Sequence, residues 1–522
     1  MTMPEQYLWL QRSIYRRLKI AIALILVALV GACASLPEDY ARTGSSAIED
    51  YYDTSIGSRW QPHEQANPGK SGFLIIPSGR NAFNIRVSMT DLSEKSLDVQ
   101  VYIWERDKTG RIFADRLIRA ADRGVRVRLL VDDMGLGADD DAVAAMNAHP
   151  NIEIRLFNPF ANRANKMLDF LVDWNRVNHR MHNKVIIADN SLAVVGGRNM
   201  GDHYFGVKEK TNFRDLDIAA VGPIVRDISD AFDNFWVSNW SVPMEVVVDR
   251  PYTTDDLKAA QTRRLSNLSQ GNYPYSIEQE MAALQETAET FRSQLIWAPG
   301  IIVWDDPATL EETGETREVI SSFRNRIQRL EHSFTIESAY FVVGERGLKN
   351  LTRLVDRGVD VRIMTNSLVS NDVLAAHAGH ANYRKQIVKA GGELYEFRAD
   401  SAGVREDWDD VSRAALHTKA LVFDDEAIFV GSFNLDPRSS NINTEAGLYV
   451  ESPELAAELK AFMDDGVQSK NAYRLTLDAA GNLEWFTEID GVEVRYHKDP
   501  LSTFGQRFTA GFYGLLPFES QL

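Results

Sequence analysis

One polar pattern occurs twice in this chain, and the second copy narrows the folds open to it. His182-Asn183-Lys184, Asp189 and Gly196-Gly197-Arg198-Asn199 return as His417-Thr418-Lys419, Asp424 and Gly431-Ser432-Phe433-Asn434. Both copies read H-x-K, four residues, Asp, six residues, Gly-[Gly/Ser]-x-Asn. The repeat extends upstream. Asp122 to Arg128 and Asp356 to Arg362 share Asp-Arg-Gly-Val-x-Val-Arg, and Gly124 precedes His182 by 58 residues while Gly358 precedes His417 by 59. Register kept over that span points to duplicated α/β domains rather than coincidence. Two half-sites meeting at one centre would supply two imidazoles, two ammonium groups and two amides. That set suits attack on an anionic phosphodiester. No metal-ligand spacing accompanies it, and no cofactor is expected.

Periodicity places each motif on a scaffold. Leu97 to Ile103 and Phe334 to Val343 read as strands; Arg111 to Arg123 and Leu348 to Arg357 read as helices closed by Gly124 and Gly358; Val125 to Val131 and Val359 to Met364 read as strands again. Lys184 to Asp189 and Lys419 to Asp424 read as strands that turn at Asn190-Ser191 and Asp425-Glu426 into Leu192 to Val195 and Ala427 to Val430. Each motif is then a hairpin whose open end carries His, Lys and Asn, with His and Lys at i and i+2 on one face. Gly196, Gly197 and Gly431 would let backbone approach a phosphate closely. Ser432 stands where the first copy has Gly197, so one half-site has a hydroxyl that the other lacks.

The ends of the chain differ from this core. Arg12, Arg16, Arg17 and Lys19 precede an apolar run from Ile20 to Val30, too short for a bilayer span of about 17–25 residues. The run ends in Val30-Gly31-Ala32-Cys33, which resembles a lipoprotein cleavage box, with Cys33, the chain's single cysteine, as the lipidated residue. Residues 1–32 are therefore read as a signal peptide, 33–70 as a tether, 71–240 as the first domain, 241–310 as a connector, 311–466 as the second domain and 467–522 as a hairpin with an apolar tail. Phe504, Phe508, Phe512 and Leu516 in that tail form a helical stripe, expected to pack on the body, with a membrane interface as the alternative. The net charge of −17 disfavours a nucleic-acid partner, whose phosphates are met by excess positive charge.

The paired H-x-K-x4-D patterns, with their Gly-x-x-Asn tails, resemble the HKD signature of the phospholipase D superfamily over nearly all of residues 71–466. Tyr102-Ile103-Trp104, Arg155 to Phe160, Arg180 to Lys184, Thr365 to Leu368 and Gly431 to Ser439 further resemble bacterial cardiolipin synthases of the C type. The resemblance implies an α/β fold: two pseudo-twofold related phospholipase D-like sandwich domains, helices flanking mixed β-sheets, with the active site at their interface. It implies transfer of a phosphatidyl group to phosphatidylglycerol, on a membrane surface of the bacterial envelope outside the cytoplasm. Phosphatidylethanolamine is an alternative donor, and a small accessory protein is left open.

For the chemistry, one imidazole attacks phosphorus and the other protonates the departing alkoxide, then deprotonates the incoming alcohol. The resemblance makes His182 the nucleophile and His417 the acid/base; the near-symmetry of the halves leaves the order open. A neutral and a protonated ring can coexist near pH 7, because histidine ordinarily titrates near ~6.5. Lys184, Lys419, Asn199 and Asn434 would hold the non-bridging oxygens. Asp215 and Glu445, each eight residues before Pro223 or Pro453, are the expected ring orienters. Asp189 and Asp424, at the far ends of their strands, are expected to be structural. Arg163 to Arg180 is read either as a lid or docking segment for anionic headgroups or as a locally packed helix with a solvated face; its counterpart at Glu406 to Asp410 is acidic. Phospholipid hydrolysis is the first alternative, then a nuclease, then a non-catalytic scaffold.

Overall fold

The computed structural model describes residues 15–19, 40–137, 140–208, 210–248, 250–269, 291–401, 413–489, 491–516 and 519–521. The signal-type segment around residues 20–32, Cys33 and the acidic stretch at 406–410 lie outside the described residues. Among the described residues, the first half forms β1 (Ser71–Ile76), β2 (Ser96–Val101), β3 (Arg126–Asp132), β4 (Ile152–Phe157), β5 (Val185–Ala188), β6 (Leu192–Gly196), β7 (Thr211–Arg214), β8 (Asp217–Val221), β9 (Ser241–Pro243) and β10 (Ile296–Ala298). The second half forms β11 (Gly300–Trp304), β12 (Ser333–Ser338), β13 (Asp360–Asn366), β14 (Glu393–Phe397), β15 (Arg413–Leu416), β16 (Lys419–Phe423), β17 (Ala427–Gly431), β18 (Ala446–Glu451), β19 (Ala472–Leu477), β20 (Leu483–Ile489) and β21 (Val492–Tyr496).

Two large mixed sheets result. The first runs β10-β1-β8-β6-β5-β2-β3-β4-β9 and the second β11-β18-β17-β16-β12-β13-β14-β19-β20-β21. Their shared core is six strands in one order, β8-β6-β5-β2-β3-β4 against β18-β17-β16-β12-β13-β14. Within it β2 and β3 are parallel, as are β12 and β13. The helices that join these parallel pairs span Lys108–Asp122 and Gly344–Asp356, each starting a few residues earlier than the apolar periodicity suggests. Central strands such as β2, β5, β16 and β17 are buried along their whole length. One apolar cluster spans both halves, joining Val185, Val195 and Ile218 to Val422, Ile428 and Leu448. Helices Ile224–Val237 and Pro453–Gly466 add Phe232, Trp236, Leu455 and Leu459 to it. Burying this continuous core welds the halves together.

Three sequence expectations change here. The expected tether packs on the body from residue 40 onward: Thr54 caps a helix at Ser55–Ala66 whose Ile56 and Trp60, four apart, enter the first core. Arg128 and Arg155 also hold the carbonyls of Ser45 and Thr43. The expected connector supplies edge strands to both sheets, with β9 on β4, β10 on β1 and β11 on β18. The chain changes sheet at Pro299. The strand expected over Phe334 to Val343 ends at Ser338, because Ala339 and Val342 turn to bond Thr418 and Leu435 beside the site.

Candidate active site

The two histidines arrive by one construction used twice. β15 ends one residue before His417 and β7 ends one residue before Asp215; the two strands pair in parallel, Leu416 beside Arg214. That ladder sets His417 Nδ1 2.7 Å from Asp215 Oδ2. In the other half-site Met181 bridges Thr444, the His182 amide donates to the Thr444 carbonyl at 2.9 Å, and His182 Nδ1 lies 2.9 Å from Glu445 Oε2. Each imidazole is therefore oriented by the carboxylate of the opposite half. The equal offsets in sequence placed both carboxylates in the centre but gave no sign of this exchange. The ring of His182 also meets the Ser432 carbonyl at 3.1 Å through Nδ1. A carbonyl only accepts, so Nδ1 carries the proton and Nε2 holds the lone pair.

The centre is buried and crowded with positive charge. His182, Lys184, His417 and Lys419 are all buried. Burial pushes the His182 ring down to about 4, and Lys184 adds to this against the opposing pull of Glu445. Burial, Lys419, Lys184 and His182 together push His417 well below its ordinary range. Burial and the neighbouring cations therefore favour the neutral form of both rings in the free cleft. Burial lowers both lysines as well, and their mutual repulsion adds to the fall of Lys184. Each ammonium donates to the carbonyl of the histidine two residues before it. The charge of each half reaches the groups of the other, so the four basic side chains form one electrostatic unit.

Other expected site residues are engaged differently. Asn199 accepts from the Ile103 amide at 3.0 Å and donates to the Tyr204 hydroxyl at 2.8 Å, which leaves it one amide hydrogen. Asn434 Oδ1 is buried and makes no hydrogen bond. The Ser432 hydroxyl is not free for substrate: it donates to Glu445 and accepts from the Ala446 amide at 3.0 Å. The glycines face protein rather than an open phosphate position. A Cβ on Gly197 would lie 2.2 Å from Asp215 Oδ1, one on Gly196 2.1 Å from Asp217 Oδ1, and one on Gly431 2.4 Å from the Ala446 carbonyl. Asp189 and Asp424 lie away from the centre. Asp189 accepts from the amides of Glu94, Lys95 and Ser96, and Asp424 from those of Glu331, His332 and Ser333. Both have positive φ, and the turns centre on Asp189-Asn190 and Asp424-Asp425, one residue earlier than expected.

Several groups escaped the sequence reading. Tyr102 sets its ring edge-on, 5.1 Å from His182. Phe213 stacks on His417 and Tyr204 meets it edge-on, both at 5.1 Å. Asp132 and Asn366, at equivalent strand ends, each accept the amide just before the histidine, from Met181 and Leu416 at 2.8 Å. The alignment of the two halves could have exposed that pair, since both terminate the strand after the shared Asp-Arg-Gly repeat. Nothing in the spacing singled out the aromatic rings.

Two histidine–carboxylate pairs and two lysines, facing each other across a pseudo-twofold interface, define a centre built for phosphodiester exchange. The chain matches the family model described as cardiolipin synthase, phospholipase D-like domain, over residues 87–236 and 323–465. It belongs to that family. It is 36% identical to cardiolipin synthase C of Escherichia coli K12 over 467 residues, 87% of this chain and 96% of that one. It is 26% identical to cardiolipin synthase A of Pseudomonas syringae pv. syringae, over 74% of this chain and 67% of the other. The crystal structure of phosphatidylserine synthase from Haemophilus influenzae Rd KW20 shares the fold, with a TM-score of 0.52 and 15% identity over 78% of this chain and 91% of that one.

Proposed function

We propose that this protein is a phosphatidyltransferase that forms cardiolipin from phosphatidylglycerol through a phosphohistidine. The observation that carries the reading is the exchanged pairing of His182 with Glu445 and of His417 with Asp215. It gives two equivalent, oriented imidazoles in one buried cleft. His182 attacks phosphorus through Nε2. The phosphodiester brings a negative charge between Lys184 and Lys419, which restores their proton affinity and that of His417. His417 then protonates the departing alkoxide and later takes the proton of the incoming glycerol hydroxyl. The lysines and Asn434 hold the non-bridging oxygens, donors of a kind worth about 3–4 kcal/mol each when aimed at developing charge. Asp215 and Glu445 fix the ring tautomers, and Asp189 and Asp424 act structurally. The buried cleft favours a lipid alcohol over water as acceptor, which sets transfer above hydrolysis.

Localisation at a membrane of the bacterial envelope, by the N-terminal segment with Cys33, belongs to the same proposal. Purified protein given phosphatidylglycerol, with and without phosphatidylethanolamine, should yield cardiolipin. Phosphatidic acid as the sole product would mark a hydrolase, and cut DNA without lipid turnover would mark a nuclease.

A further inference from the structure

The helix Phe504–Gly514 inverts the usual arrangement of a surface helix. Its stripe does not pack on the body: Phe504, Phe508 and Phe512 are 76%, 67% and 54% exposed, and Leu515 just beyond is 84% exposed. The inward side carries small residues, Ala510 and Gly514. Ala510 is the one buried side chain of the helix, and Ala510, Gly511 and Gly514 cover a cavity of about 250 Å³ above helix Leu374–Ala381. A capping box at Thr503 and Gln506 fixes the helix start, so the aromatics project from an ordered element. The helix carries one charged side chain, Arg507, and no acid, although the chain as a whole is at −17.

A second exposed apolar group lies in the segment that leads into His182. Met167, Leu171 and Trp174 are 67%, 70% and 48% exposed. On one reading of the sequence this segment offers cations to headgroups, but Arg163 and Lys166 are held by Asp133, and Arg176 by Asp173. The large side chains it presents outward are apolar, with Asn165, Asp173 and Asn175 beside them.

Short runs of contacts connect the chain around each group to the catalytic centre. The Tyr102 hydroxyl, on the ring beside His182, contacts the Met134 sulfur, and Lys166 donates to the neighbouring Asp133 carbonyl. Gln521, seven residues beyond the helix, accepts from Asn178 at 2.9 Å and from Arg438 at 3.2 Å. Asn178 lies four residues before His182, and Arg438 six after Ser432.

We propose that these two apolar groups form a rim around the cleft and seat it on the surface of a phospholipid bilayer. The proposal rests on the phosphatidyl-transfer reading for its choice of occupant. An 11-residue helix is about 16 Å long, about half the hydrocarbon thickness, so it lies in the interface with its aromatics at headgroup depth. The missing acids let an acidic protein approach anionic lipid at this face. A lipid can then pass from the leaflet to His182 and His417 without its chains crossing water.

The test uses the full chain with its N-terminus intact. A photoreactive benzoylphenylalanine at position 508 or 171 should label acyl chains in vesicles of phosphatidylglycerol and phosphatidylethanolamine, whereas the same probe at exposed position 301 should not. The triple variant Phe504→Ser, Phe508→Ser, Phe512→Ser should lose about 1,000-fold in kcat/KM on vesicles, since each buried aromatic contributes about ten-fold. Its turnover of monomeric dihexanoyl phosphatidylglycerol should be unchanged. Wild-type behaviour of the triple variant on vesicles, or labelling of a second protein copy in place of lipid, would overturn the docking surface. Failure of the wild-type protein to turn over either lipid would instead defeat the phosphatidyl-transfer reading, while the lipid labelling would still report on docking.

Discussion

The two half-sites share a scaffold and differ in how each holds its carboxylate. Glu445 is fixed by hydroxyls: Ser432 and Ser439 both donate to it, and its amide is anchored by Asp305 at 3.0 Å. Asp215, one methylene shorter, lies against the bare backbone of Gly197 and accepts from the Leu216 amide at 2.8 Å. The Gly197/Ser432 difference is thus one of carboxylate length, with a hydroxyl filling the second half-site and a close contact replacing it in the first. The ring environments diverge too, with one tyrosine edge beside His182 but a stacked Phe213 and an edge-on Tyr204 around His417. Duplication preserved the geometry that matters to both rings, and divergence acted on the shells behind them.

The largest expected effect tests whether the rings have separate roles. His182→Asn and His417→Asn should each lower cardiolipin formation by more than about 10⁴-fold, since nucleophile and acid/base act as one unit. With an activated phosphatidyl ester whose leaving group needs no proton, His417→Asn should recover a burst of covalent phosphoenzyme and His182→Asn should not. A burst in the His182 variant alone would reverse the assignment.

Next in size is the effect of the carboxylates. Glu445→Gln and Asp215→Asn should each cost about 10²–10⁴-fold in kcat, the range for losing an oriented acid–base partner. The pH profile separates orientation from bulk damage. Attack requires neutral His182, whose ring burial lowers to about 4, so kcat/KM should fall as pH drops through about 4 rather than 6.5. Glu445 opposes that lowering. Its replacement by Gln should therefore move the acid limb lower still, while Asp215→Asn should leave that limb in place.

A smaller and directional contrast concerns the Gly/Ser pair. Gly197→Ser should disturb the first half-site strongly, because its Cβ would overlap Asp215. Overpacking of this kind costs about 1–3 kcal/mol, and activity should fall about 100-fold. Ser432→Gly removes one donor to Glu445 and should cost only about ten-fold, close to the worth of one hydrogen bond to a charged group. Equal losses, measured as kcat on short-chain lipid, would remove the account based on carboxylate length.

Much of this was legible because duplication writes the same constraints twice. Four of the six core strands of each sheet, the hairpins and the pairing of His with Lys followed from periodicity and repeated spacing; β4, β8, β14 and β18 did not. The exchange of Asp215 and Glu445 between halves was not legible, because it depends on β7 pairing with β15, two short strands with no alternation strong enough to announce a ladder. The docking of residues 40–66 was missed because Ile56 and Trp60 are the two large apolar residues of an otherwise polar helix, and their burial depends on a tertiary groove. The outward face of the Phe504 stripe was missed for the opposite reason. Helical periodicity shows that a stripe exists, but not which side of the helix the body takes.

The smallest effect concerns the motif aspartates, where the halves differ in burial. Asp189 is fully buried and Asp424 is only partly buried, though each accepts three amides from the loop entering its neighbouring strand. Removing Asp189 leaves the buried Ser96 amide without its acceptor, so Asp189→Ala should cost about 2–3 kcal/mol of unfolding free energy, against about 1 kcal/mol for Asp424→Ala. Neither should change kcat on folded protein. The pH dependence carries opposite signs. Burial raises the Asp189 carboxyl despite its three amides, so the folded state binds more protons than the unfolded one and that contribution weakens as pH rises through the carboxylate range. At Asp424 burial is outweighed by the amides of His332, Ser333 and Glu331, and the carboxyl is lowered. Its contribution is present above the ordinary carboxylate range and is lost as pH falls through the folded value. Chemical denaturation between pH 3 and 6 should therefore show the wild-type advantage over Asp424→Ala shrinking toward acid, and the advantage over Asp189→Ala persisting there. If both advantages vanish together toward acid, ionised carboxylates alone would organise the two turns, and the difference in burial would carry no energetic weight.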